Sequence, residues 1–148
     1  MKSLIALIFA AMTAATAYAE CTLYSTHSNA VSKQLKDAGG WAFDRYDTVC
    51  AKLKKANAAV MILSGSAVLD NRSIGWASVV VKDKESAIAT SDYSSRSTQT
   101  NSYASQDKAD ALMWEAVNAA LNDWGGVLDS ALVVLEEARR ATSKARVR

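Results

Sequence analysis

The chain has 148 residues, half of them hydrophobic, and seventeen Lys and Arg nearly balance fifteen Asp and Glu for a formal net charge of +2. No apolar run beyond the first nineteen residues approaches the ~20 that a transmembrane helix needs, which excludes a membrane-spanning chain. A lone histidine excludes metal sites built on two imidazoles, and the total charge by itself marks no class of partner.

The N-terminus carries the strongest signal. Lys2 supplies a positive start, Leu4 to Ala15 an apolar core, and Ala17-Tyr18-Ala19 a small-x-small cleavage site before Glu20. Residues 1–19 therefore read as a secretory signal peptide, and residues 20–148 as a single α+β domain with a basic C-terminal tail, soluble in the periplasm or secreted. Glu20 stands where a lipobox needs a small residue, so Cys21 is not expected to carry a lipid and no stable membrane anchor is expected. In an oxidising space the two cysteines, Cys21 and Cys50, are expected to pair as a staple on the mature N-terminus.

The predicted elements follow in order. From Ser28, the positions Val31, Leu35 and Ala38 recur at helical spacing, and Gly39-Gly40 supplies a left-handed stop. Tyr46, Val49, Cys50 and Leu53 form the inward stripe of a second helix whose C-terminal end carries Lys52, Lys54 and Lys55. The register then changes to strand. Ala58 to Leu69, Ile74 to Val81 and Ser86 to about Thr100 read as three strands, separated by polar turns at 70–73 and 82–85. Short connections favour an antiparallel meander, with the middle strand apolar enough on both sides to be central and covered on both.

The segment from Ser91 to Gln106 is dominated by Ser, Thr, Asn and Gln, with Tyr93, Arg96 and Tyr103 among them. Its first half is expected to be a solvent-facing strand and the rest a loop. Ser105 is the expected N-cap of the next helix, where Leu112, Met113, Ala116, Val117, Ala120, Leu121 and Trp124 make one broad apolar stripe. Gly125-Gly126 ends it. A last helix from about Leu128 turns Ala131, Leu132, Leu135 and Ala138 inward and frays into a tail holding Arg139, Arg140, Lys144, Arg146 and Arg148. The expected fold is thus α+β: a small three-stranded antiparallel meander packed by N-terminal and C-terminal helices.

Candidate chemistry is sparse. His27, beside Ser25, Thr26 and Ser28, reads as a surface histidine at a helix start, since adjacency in sequence orients no triad. Asp44 with Asp47, and Asp107 with Asp110, are three apart and read as first-turn acids. No catalytic residue, metal site or cofactor is assigned, and the basic tail lacks the interleaved aromatics of a nucleic-acid binder. Trp41, which follows a Gly-Gly loop, joins Tyr93, Arg96 and Tyr103 as the expected partner-binding residues. The reading is a non-enzymatic exported binding protein of the inhibitor or immunity kind, whose partner is another exported or envelope protein. The alternatives are a small periplasmic hydrolase using Asp and Glu, or an envelope accessory or assembly protein.

Overall fold

A computed structural model describes residues 21–146; the expected signal peptide lies outside the described residues. The elements are β1 (Ser25–Thr26), α1 (Asn29–Asp37), α2 (Tyr46–Lys55), β2 (Ala58–Leu69), β3 (Arg72–Asp83), β4 (Ala89–Asn101), α3 (Gln106–Trp124) and α4 (Leu128–Arg146). The α+β class stands, but the sheet has four strands in the order β1-β2-β3-β4 and is mixed, because β1 runs parallel to β2. The predicted meander of β2, β3 and β4 is its antiparallel part.

Local chemistry accounts for most boundaries. Ser28 and Ser105 cap α1 and α3 through hydroxyls that accept from Val31 N and Lys108 N, satisfying backbone donors that a helix start leaves unpaired. Gly39 and Gly40 leave α1 at φ +75° and +130°, conformations open to a residue without a Cβ. Asp70 and Asn71 both have positive φ, as the tight turn of a hairpin requires. The β2–β3 turn is therefore just these two residues, and the ladder runs from Leu69↔Arg72 to Ala58↔Asp83 without a break at Gly65.

The two-residue β1 exists because the chain before it is pinned. Cys21 and Cys50 form a disulfide, with Cα atoms 6.0 Å apart. Tyr46 Oη donates to Cys21 O at 2.7 Å and accepts from Leu23 N at 3.3 Å. Cys50 faces the core with Val49 and Leu53, as the helical stripe predicts. Closing a loop of sequence separation 29 stabilises the chain by about 3 to 4 kcal/mol on the chain-entropy account. Cys50→Ser is expected to lose about that much in urea unfolding and to free β1, seen as fast amide exchange at Ser25 and Thr26; an unchanged midpoint counts against the staple.

The core lies between one face of the sheet and the helices. Helix α3 packs on β2, β3 and β4, and α4 on β3 and β4. From α3, Met113, Ala116, Val117, Ala120, Leu121 and Trp124 are fully buried, and from α4, Leu128, Ala131 and Leu135. Helix α4 does not fray where the basic tail was expected to begin; it continues to Arg146. Arg139 is a half-buried tether rather than a tail cation. Its Nε donates to Asp83 Oδ1 at 2.7 Å, Nη1 to Ala56 O at 2.9 Å and Nη2 to Asn57 O at 2.8 Å.

Candidate functional site

Side chains alternate along a strand, so β3 sends Ser73, Gly75, Ala77, Val79 and Val81 toward the helices. Ile74, Trp76, Ser78 and Val80 point the other way. Through the pairing register, Met61, Leu63, Gly65, Ala67 and Leu69 of β2 and Arg96, Thr98 and Thr100 of β4 join them on this second face. The expectation that the middle strand is covered on both sides is corrected here: the helices take one face, and the other is open. Leu63 is 51% exposed, Leu69 57% and Trp76 43%.

Two features shape the open face. The Trp76 indole lies over its cross-strand partner Gly65, so close that a Cβ there would sit 2.8 Å from Trp76 Nε1. A rigid aromatic plate therefore rests on the sheet with its outer side in water. The second feature is a bulge in β4. Ser95 pairs with Val79 and Thr90 with Val81, so Ser91–Ser94 all stand opposite Val80 alone. Extra residues on one strand lift it from the ladder and redirect its side chains. Tyr93 sits in this bulge at φ +56°, a backbone conformation that costs a bulky L-residue about 1 to 2 kcal/mol.

Beneath the bulge, a cavity of about 290 Å³ opens on the same face, lined by Met61, Leu63 and Val80 on one side and Thr90, Ser91, Ser94 and Arg96 on the other. Thr90 pairs with Val81 and so turns its side chain to the helix side, where it is buried. Arg96 makes no ion pair among the described residues. The outward positions of β3 and β4 carry three cations, Arg72, Lys82 and Arg96, against one exposed carboxylate in the bulge, Asp92, and the outward positions of β2, β3 and post-bulge β4 carry no carboxylate.

The four residues expected from sequence to bind a partner do not form one surface. Arg96 lies on the cavity rim and Tyr93 in the bulge beside it. Tyr103 is 70% exposed just past the other end of β4, where its backbone is held by Ser73 Oγ and Asn101 Oδ1. Trp41 is not an exposed anchor. It is half-buried on the helix layer, stacked on Trp114 of α3 at 5.7 Å between ring centroids, with His27 edge-on at 5.9 Å. Leu63 and Trp76 were not among the expected contacts, although two apolar faces on β3 with only two long helices to cover them were already a signal.

The residues with catalytic potential are occupied in local structure. Asp110 accepts from Ser66 Oγ at 2.5 Å and Gln106 Nε2 at 2.8 Å, which ties the start of α3 to β2. His27 Nδ1 lies 3.2 Å from Ser32 Oγ and from Ser28 O, and that serine in turn donates to Ser28 O. No group of three or more His, Cys, Asp or Glu poised for a metal occurs among the described residues, and no helix there is long and apolar enough to cross a membrane.

Against known proteins, no family profile and no curated protein matches this chain. Among solved structures it is similar to a "putative lipoprotein" from Caulobacter crescentus CB15, at 15% identity over 82% of this chain and 90% of that one, with a TM-score of 0.34. At that score nothing is carried from that protein to this one. Neither these comparisons nor the described residues indicate an enzyme.

Proposed function

We propose that the protein is exported and acts by binding another protein through the open face of its sheet, as an inhibitor or immunity protein does. The observation that carries this reading is the uncovered stripe of Leu63, Leu69 and Trp76, where large apolar side chains stand in water on a sheet whose other face carries the helices. Contiguous exposed apolar surface with a rigid aromatic at its centre is the composition of an interface core. The Cys21–Cys50 disulfide supports export, because such bridges persist in oxidising compartments.

The test is co-purification from the native envelope with the wild type and three variants. Leu63→Asp and Trp76→Ala are expected to lose the partner while stability changes by no more than about 1 kcal/mol, since neither residue belongs to the core. Tyr103→Ala is expected to retain it. Recovery of the same partner at the same yield by Leu63→Asp overturns the assignment of the face.

A further inference from the structure

The cavity beneath the β4 bulge is more than a dent in an apolar face. Met61, Leu63 and Val80 give it apolar lining, Ser78, Ser91 and Ser94 surround these, and its rim carries a guanidinium, Arg96. At about 290 Å³ the space falls just short of the ~300 to 1,000 Å³ of sites for drug-sized molecules, and it fits one side chain with adjoining backbone.

Charge selects the occupant. A second copy laid face to face would set Arg72, Lys82 and Arg96 against the same three cations, and like charges across an interface are repulsive. We infer that this cavity receives a leucine-sized apolar side chain from the partner, with a neighbouring carboxylate of the same segment held by Arg96. This partner chemistry presupposes the binding role proposed above. An acidic segment with one apolar anchor is complementary to the face in both respects, since the anchor fills the recess and the carboxylate finds the one polar, unpaired cation on its rim.

The test uses the isotope-labelled protein and blocked hexapeptides with a Gly/Ser background, one leucine and one adjacent glutamate, read by amide chemical shifts. The Glu-Leu peptide is expected to shift residues 89–96 together with Met61 and Leu63. Replacing its glutamate by glutamine is expected to weaken binding about tenfold, the loss expected for one charge-assisted hydrogen bond. Arg96→Gln is expected to bind the two peptides alike, and as an exposed residue its loss leaves the fold intact, checked by an unchanged spectrum elsewhere. Peptides that bind equally well, or shifts that map outside the bulge, overturn the inference. So do shifts produced by phosphatidylglycerol vesicles and by no peptide, which would make the face a membrane contact. If the peptides fail while Leu63→Asp still loses the protein partner, the cavity chemistry falls and the binding role stands. If Leu63→Asp keeps the partner, the binding role itself falls.

Discussion

Gly75→Ala is expected to cost about 3 kcal/mol or more, the upper range for forcing a methyl into a packed core. At this position β3 and α3 touch backbone to backbone. A Cβ on Gly75 would lie 2.0 Å from Met113 N, 2.3 Å from Leu112 C and 2.6 Å from Met113 Cα. None of these atoms belongs to a side chain that can turn aside, so the whole helix must rise off the sheet, and Met113, Ala116 and Val117 lose their contacts with it. Gly65→Ala is the control. The nearest atoms to its Cβ would be those of the Trp76 indole, at 2.8 to 2.9 Å, on the open face where the ring can swing into water. That variant is expected to lose no more than about 1 kcal/mol while shifting Trp76 fluorescence. Equal urea midpoints for the two variants would show that α3 is not seated on Gly75.

The helices and the three long strands are legible in the sequence because each has a strong local period. The stripe from Leu112 to Trp124 is buried at every position it marks, and Tyr46, Val49, Cys50 and Leu53 face the core as the spacing requires, Tyr46 only in part. What escapes sequence is set by contacts distant along the chain. Two residues, Ser25 and Thr26, hold no period of their own; they become a strand through Cys50 and Tyr46, twenty or more residues away. The polar segment is strand as far as Asn101 for a similar reason, since its backbone pairs with β3 from Val79↔Ser95 to Ser73↔Asn101.

The site is less legible than the fold. Alternation correctly separates the two faces of β3, but it cannot tell which face a helix will cover. Both carry apolar residues, and the decision lies in Gly75, whose missing side chain admits α3 to one side. Trp76 thereby falls on the other. Arg96 is read from sequence as a partner-binding residue for its polar, solvent-facing strand, and it does stand on the open face. The bulge that gives it a cavity depends on a register shift between β3 and β4 that no local pattern announces.

Arg139→Met is expected to destabilise the fold by about 2 to 3 kcal/mol at neutral pH, below the ~3 to 5 of a fully buried pair because the Arg139 side chain is 23% exposed. One guanidinium ties α4 to the end of β3 through Asp83 and to the α2–β2 connection through Ala56 O and Asn57 O. Without it, a carboxylate only 9% exposed keeps hydrogen bonds from Ser86 N and Glu85 N but loses its counter-charge. The pH dependence identifies the cause. In the native protein, burial pushes the Asp83 pKa up, but the hydrogen bonds from Ser86 and Arg139 and the charge of Arg139 outweigh it and hold the group below its ordinary 3.8. A carboxylate with a depressed folded pKa contributes stability above its unfolded pKa, and that contribution is lost as pH falls through the folded value. The variant lacks the larger part of this contribution, and burial now favours the neutral acid. The gap between wild type and variant is therefore expected to be constant well above pH 3.8 and to narrow below it. A gap that stays the same down to the lowest pH at which both remain folded would assign the loss to the arginine's hydrogen bonds with Ala56 and Asn57, not to its charge. Asp83→Asn in the Arg139→Met background is expected to recover part of the stability, because the amide removes the unpaired charge while keeping the acceptor for Ser86 N.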